Sequence, residues 1–245
     1  MNATQQQLLD ALRGGLIVSC QANPGEAFHS SSSMAKFASS AHAGGAVGLR
    51  TEGLGDIQLI HQQVPLPQIG LWKTDDIENV FITPTLSHAL AVADAGAQII
   101  ALDGTRRPRP DGVTLRATIQ AIHDRTGALV MADAATVADG EAAADAGADM
   151  VSTALSGYTA ETRQQHDRPD LELVRTLSTG LDIPVFAEGR FRTPEHAAEA
   201  IRLGAFAVVI GAAITDPTAI SGWFVNAITA AAPSSASSTA PAAGR

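Results

Sequence analysis

Four times along this chain a stretch with helical spacing ends at a glycine corner and passes at once into an apolar run. The corners are Gly44-Gly45-Ala46-Val47, Gly96-Ala97-Gln98-Ile99-Ile100, Gly147-Ala148-Asp149-Met150-Val151 and Gly204-Ala205-Phe206-Ala207-Val208, standing 52, 51 and 57 residues apart. A helix commonly stops at a residue of positive φ, which glycine adopts without steric cost. An unbroken apolar run after it reads as a parallel strand covered on both faces. A second set of apolar runs alternates with the corners: Leu16-Ile17-Val18-Ser19, Gln68-Ile69-Gly70-Leu71, Ala128-Leu129-Val130-Met131 and Pro184-Val185-Phe186-Ala187. The spacing therefore predicts eight strands. Helical segments at Leu86–Ala95, Val137–Ala146 and Pro194–Leu203 lie between them, the last two opening on the caps Thr136 and Thr193, with Pro194 at the first helical position. Eight βα units in a chain of 245 residues predict a closed (β/α)8 TIM barrel. No G-x-G-x-x-G fingerprint follows the first strand, so a doubly wound dinucleotide-binding sheet has no support.

Aromatic residues make up only 4% of the chain, so Ala, Val, Ile and Leu must build the core, as suits helices packed on a parallel sheet. A formal net charge of −9 argues against nucleic acid and anionic membranes as partners, both of which are bound through clustered cations. The single cysteine, Cys20, can build neither an internal disulfide nor a zinc cluster, which suggests a reducing, cytoplasmic setting. Met1 to Asp10 has no basic start leading into an apolar stretch, and no run approaches the roughly 20 apolar residues of a membrane span. Residues 230–245 form a tract of Ala, Ser, Thr and Pro without periodicity. It is expected to be a disordered tail behind a single barrel domain of residues 1–229.

Barrels of this kind carry their active site at the carboxyl ends of the strands. The residues ending the eight runs are Gln21, Arg50, Lys73, Asp103, Asp133, Thr153 with Ser156 beyond it, Glu188 and Gly211. Ionisable groups so near a core are costly unless they meet a ligand or each other. The alternative to a site is a salt-bridged rim, such as an Arg50–Glu188 pair. Lys73 stands out because the chain has 14 Arg and only two Lys, Lys36 and Lys73. A surface charge is as well served by Arg, whereas a group that must shed its proton near neutral pH is not.

Glu188-Gly189-Arg190 and Gly211-Ala212-Ala213 follow the seventh and eighth strands, in the loops where barrels commonly hold a phosphate on main-chain amides. Gly189, Arg190, Gly211 and Ala212 are the expected phosphate ligands, although glycine after a strand is as often a plain turn. Arg106, Arg107 and Arg109 could reach an anion or form an exposed basic loop. Asp103 and Asp133 with Glu188 make a poor metal cage and no histidine falls at a strand end, so no metal is expected. His29, His42, His61, His88, His123, His166 and His196 fall in loops or helices.

The strings Gly15 to Gln21 (GLIVSCQ), Gly45 to Arg50 (GAVGLR) and Ile82-Thr83-Pro84-Thr85 resemble the N-acetylmannosamine-6-phosphate 2-epimerase family. So, in the same order, do Ile100 to Asp103 with Arg109 to Gly112, Met131-Ala132-Asp133, Val151 to Thr153 with Leu155 to Thr159, and Ala187-Glu188-Gly189-Arg190. The likeness runs from about Leu9 to Ile228. It implies a (β/α)8 enzyme of sialic-acid catabolism, a homodimer without a nicotinamide cofactor, that interconverts N-acetylmannosamine 6-phosphate and N-acetylglucosamine 6-phosphate. The resemblance places the family lysine at Lys73 and the carboxylate of its Glu-Gly-Arg motif at Glu188. Gln21, Arg50 and Asp133 fall where the family lines its sugar site, and Thr153 is expected beside them. One departure stands out: the family's Ile-Thr-Arg-Pro after the last strand is here Ile214-Thr215-Asp216-Pro217. A carboxylate replaces a phosphate-contacting cation.

Epimerisation beside a carbonyl needs a base for the α-proton, stabilisation of the enolate and return of a proton to the opposite face. Lys73 is the expected proton-transferring group, with Glu188 assisting ring opening or reprotonation; whether one group or two serve the faces stays open. Arg50 and Gln21 would orient substrate oxygens and the acetamido group, and Asp133 a hydroxyl or Lys73 itself. Two other readings remain at this stage: a Schiff-base aldolase on a related sugar phosphate, and a barrel that binds phosphosugars without turnover.

Overall fold

The computed structural model describes residues 1–76, 79–163 and 167–232. Eight parallel strands close into a barrel in sequence order, β8 pairing back onto β1. They are β1 (Leu16–Cys20), β2 (Gly48–Glu52), β3 (Gln68–Leu71), β4 (Ile99–Asp103), β5 (Leu129–Asp133), β6 (Met150–Ser152), β7 (Val185–Glu188) and β8 (Ala207–Ile210). The helices are α1 (Ala3–Leu12), α2 (Ser31–Ala43), α3 (Leu54–Gln63), α4 (Leu86–Asp94), α5 (Leu115–Thr126), α6 (Val137–Asp145), α7 (Leu171–Gly180), α8 (Pro194–Arg202), the single turn α9 (Ala212–Thr215) and α10 (Pro217–Ala231). Thr136 and Thr193 cap α6 and α8 as expected, each side chain accepting the N–H three residues on. Gly96, Gly147 and Gly204 carry the positive φ foreseen at the corners. In the first repeat the left-handed residue is Gly45, at φ 92°, while Gly44 ends α2 in right-handed geometry and β2 starts only at Gly48.

Alternation along each strand sorts side chains between the barrel interior and the helical layer. Ile17, Ile69, Leu71, Ile99, Ala101, Leu129, Met131, Met150, Phe186, Ala207 and Val209 pack together in the interior. Val18, Leu49, Ile100, Leu102, Val130, Val151, Val185 and Val208 pack outward. Counting by twos from the interior set brings Ser19, Arg50, Asp103, Asp133, Ser152 and Glu188 inward at the top of the barrel, with Gln21 and Lys73 one step further along the same phase. The chain thus closes its apolar plug with a polar lid. Phe186, fully buried in that plug, would cost about 3–5 kcal/mol to truncate to alanine.

One segment departs from the simple repeat. β3 and β4 pair only through Ile69–Ile99 and Gly70–Ile100. Beyond that point residues 81–83 fill the gap: Lys73 bridges Ile82, Thr74 N–H donates to Phe81 O, Thr83 N–H to Trp72 O, and Asp103 N–H to Ile82 O. Thr83 takes a left-handed φ of 44° here, a conformation unfavourable for a β-branched residue. Its hydroxyl donates to Ala101 O at 2.7 Å, and its carbonyl accepts from Arg109 Nη2 at 2.7 Å. This strap fixes the chain on both sides of Lys73.

α10 buries none of its residues, and Phe224 and Ile228 are 67% and 70% exposed. Among the described residues no helix is long and apolar enough to cross a membrane. α10 runs through Ala231, past the start of the expected tail; residues 233–245 lie outside the described residues.

Candidate active site

Lys73 emerges from β3 into a cavity of about 540 Å³ at the carboxyl end of the barrel. Its Nζ donates to Gln21 Oε1 at 2.6 Å, and Gln21 Nε2 donates in turn to Ser19 Oγ at 2.8 Å. The amide is thereby oriented with its acceptor on the amine. The Lys73 N–H donates to the Glu52 carboxylate at 3.3 Å, a partner that sequence reasoning passed over. Burial lowers the Lys73 pKa, Glu52 opposes that, and the Arg50 guanidinium lowers it further.

Arg50 is the largest fully buried side chain among the described residues. Its guanidinium donates to both Asp133 oxygens, at 3.1 and 2.6 Å, and lies 3.2 Å from Glu188 Oε2. Burial works against its charge, but the two carboxylates outweigh burial and raise its pKa. The Arg50–Glu188 pair proposed for a rim does form, inside the cavity rather than around its edge. Asp133, expected to orient a substrate hydroxyl or Lys73, is fully buried, and both its oxygens accept from Arg50. Glu188 does line the cavity, and burial pushes its carboxyl up to about 7, with Arg50 opposing and Asp133 reinforcing the rise.

Thr153, expected beside the sugar site, bonds the main chain of Glu188. It lies one residue past the inward-facing Ser152, hence on the other face, and its hydroxyl donates to Glu188 O at 2.8 Å while accepting the Glu188 N–H at 2.9 Å. It holds the backbone of Glu188 and does not line the cavity. Ser152 Oγ donates to Glu188 Oε2 at 3.3 Å.

Gly189, Arg190, Gly211 and Ala212 line the outer part of the cavity. Arg190 takes a left-handed φ of 58°, and its side chain is drawn toward the β6 loop: Nη1 donates to Ser156 O at 2.6 Å, Nε to Arg168 O at 2.8 Å, and the guanidinium lies 5.3 Å from the Tyr158 ring centre. Asp216 lines the same wall and caps α10, Oδ1 accepting the Ala219 N–H at 2.9 Å. Phe81, Tyr158, Arg163, Arg192 and Trp223 also line the cavity; none was singled out from sequence, because each belongs to a loop or a later helix rather than to a strand end.

The basic loop after β4 is tied into the fold. Arg106 pairs with Asp139, Arg107 with Asp103, and Arg109, buried, donates to the carbonyls of Asp103 and Thr83. Asp103 also accepts from the Thr105 hydroxyl and N–H. Asp103 and Asp133 are register partners on β4 and β5, yet each faces its own arginine, and among the described residues no group of three or more His, Cys, Asp or Glu side chains could hold a metal. Ser156 donates to Asp170, the cap of α7. His166 lies outside the described residues.

A family model described as "Putative N-acetylmannosamine-6-phosphate epimerase" matches residues 34–230. A Cutibacterium acnes protein named "Putative N-acetylmannosamine-6-phosphate 2-epimerase" is 47% identical over 230 residues, covering 93% of this chain and 100% of that protein. The "Bifunctional enzyme NanE/NanK" of Brucella melitensis is 46% identical over 228 residues, 93% of this chain and 43% of that protein. The solved structure of the N-acetylmannosamine-6-phosphate 2-epimerase from Clostridium perfringens superposes with a TM-score of 0.86 at 41% identity, covering 90% of this chain and 96% of that one. A thiamine phosphate pyrophosphorylase from Pyrococcus furiosus, at 16% identity and a TM-score of 0.59, shares the fold alone.

Proposed function

Since the chain belongs to the N-acetylmannosamine-6-phosphate epimerase family, we propose that it interconverts N-acetylmannosamine 6-phosphate and N-acetylglucosamine 6-phosphate by moving the proton on the carbon that bears the acetamido group. The observation that carries this reading is the pairing of Lys73 and Glu188 in one cavity. Burial lowers the pKa of the amine and raises that of the carboxyl to about 7. Two groups displaced toward neutrality from opposite sides can exchange a proton with a weak carbon acid at modest cost. In the open-chain sugar the α-carbon adjoins the aldehyde. Lys73 takes its proton, and the electron pair moves onto the carbonyl oxygen as an enolate. The Arg50 guanidinium, with Nη1 beside Glu188 and both nitrogens braced by Asp133, supplies fixed positive charge for that oxygen. Glu188, protonated near pH 7, assists ring opening and returns a proton to the opposite face. Gln21 holds the Lys73 amine while its own orientation is fixed by Ser19. Gly189, Gly211 and Ala212 offer main-chain amides to the phosphate.

The decisive experiment is proton NMR of the purified protein with N-acetylmannosamine 6-phosphate in deuterated water. Epimerisation with loss of the α-proton signal is expected. Retention of that signal would leave a binding barrel without turnover, and a borohydride-trapped substrate adduct on Lys73 would favour the aldolase.

The assembly we propose is a homodimer. The apolar α10, with Phe224, Val225 and Ile228 exposed, supports a second copy of this chain as its cover. Light scattering should give twice the mass of the chain, and Phe224→Glu with Ile228→Glu should halve it. A cytoplasmic setting is supported by the phosphosugar substrate and by the unpaired, buried Cys20.

A further inference from the structure

The outer wall of the cavity carries a fixed anion, since Asp216 is held as the cap of α10. A phosphate seated there needs a cation that can turn to it. Arg50 is committed to Asp133 and Glu188, and the Arg190 guanidinium to two carbonyls and the Tyr158 ring. Arg192 differs. It follows the β7 loop, lines the cavity, and lies 4.4 Å over the ring of Trp223, which lines the cavity from α10. Its ion-pair partner is Asp167, a carboxylate 70% exposed to solvent. Nη1 and Nη2 each donate to one Asp167 oxygen, a fork that a phosphate can take over in the same geometry while bringing more negative charge than the solvent-exposed carboxylate. Stacking on Trp223 keeps the guanidinium plane in place while its partner changes.

We propose that Arg192 is the cation that binds the 6-phosphate, exchanging Asp167 for the ligand while remaining stacked on Trp223. Arg192 is then a determinant of preference for phosphorylated over free sugar. This rests on the reading that the substrate is a 6-phosphosugar.

The test compares wild type, Arg192→Gln and Asp167→Asn in steady-state kinetics with N-acetylmannosamine and its 6-phosphate, together with Trp223 fluorescence during titration with inorganic phosphate. Arg192→Gln should raise KM for the phosphosugar by about tenfold or more, and the preference for the phosphorylated sugar should shrink in proportion. Asp167→Asn, which removes the competing carboxylate without touching the cavity wall, should lower that KM by about two- to fivefold. Both trends overturn the proposal if absent: an unchanged KM in Arg192→Gln, or a raised KM in Asp167→Asn, excludes Arg192 as the phosphate cation. If wild type fails to turn over the phosphosugar, yet phosphate changes Trp223 fluorescence only when Arg192 is present, the functional reading falls while the anion site stands.

Discussion

Both carboxylate oxygens of Asp133 are taken by the two terminal nitrogens of Arg50, at 3.1 and 2.6 Å, in a pair from which solvent is excluded. This arrangement aims Arg50 at Glu188. Removing one member of such a pair strands a buried charge, which typically costs about 3–5 kcal/mol. Asp133→Ala should therefore lower the melting temperature by roughly 6–20 °C, taking about 2–4 °C per kcal/mol for a domain of this size, and abolish turnover. Thermal unfolding within about 2 °C of wild type would contradict the pairing.

Thr153 offers a cleaner separation of contact from support. Its hydroxyl both donates to and accepts from the main chain of Glu188, so Thr153→Val, of equal shape, removes two part-buried hydrogen bonds at a cost of about 1–3 kcal/mol. Because the effect reaches the substrate only through Glu188, kcat should fall about tenfold while KM stays within about twofold. A raised KM with unchanged kcat would return Thr153 to the substrate-binding surface.

The barrel was legible because its punctuation is local. Gly96, Gly147 and Gly204 must each take a positive φ, and each does. The cavity was half legible for a related reason: Gln21, Arg50, Lys73 and Glu188 fall on the inward phase of their strands, which a count by twos recovers. The same count, carried from Met150 to Ser152, puts Thr153 on the other face, where its hydroxyl meets the main chain of Glu188. The Arg50–Asp133 pair was not legible, since the two residues lie 83 positions apart and nothing local announces it. The strap at residues 81–83 escaped notice because it pairs with β3 and β4 through main-chain groups, which any side chain could accompany. Arg192 and Trp223 meet only after the barrel has closed.

Glu188 ties catalysis to stability through pH. Burial raises its folded pKa to about 7, above the ordinary 4.5. Between those values the folded chain holds a proton that the unfolded chain has lost. The associated stability is thus complete below about pH 4.5 and lost as pH rises through 7, a difference of about 3 kcal/mol at 1.36 kcal/mol per unit. Glu188→Gln does not titrate. Its stability relative to wild type should grow by that amount between pH 4.5 and 8, measured by urea unfolding, while epimerase activity disappears. A gap independent of pH would mean that the carboxyl titrates normally.

Lys73→Arg keeps a cation just past β3 but replaces an amine whose pKa burial lowers with a guanidinium that stays protonated. The variant should fold and lose about 10²–10⁴ in kcat, the contribution of a positioned base. In wild type, kcat should rise with pH through a value below the usual 10.5 of a lysine, and that limb should vanish in the variant. Turnover near the wild-type level in Lys73→Arg would remove the amine from the proton transfer.

Asp216 carries two effects that one substitution can separate. Its carboxylate accepts the Ala219 N–H and so caps α10, and it also faces the cavity where the phosphate is expected. Asparagine caps a helix as well as aspartate does, so Asp216→Asn should cost only a few tenths of a kcal/mol, the lost interaction with the helix dipole, while removing the anion. KM for the 6-phosphate should then fall by about three- to tenfold with kcat unchanged, the pattern of an interaction felt equally in ground and transition states. Asp216→Ala removes charge and cap together. It should reproduce the fall in KM and add a loss of about 1 kcal/mol, seen as a melting temperature lower by roughly 2–4 °C. If both variants leave KM where it is and only the alanine loses stability, the Asp216 charge is screened from the ligand and its role is confined to the cap.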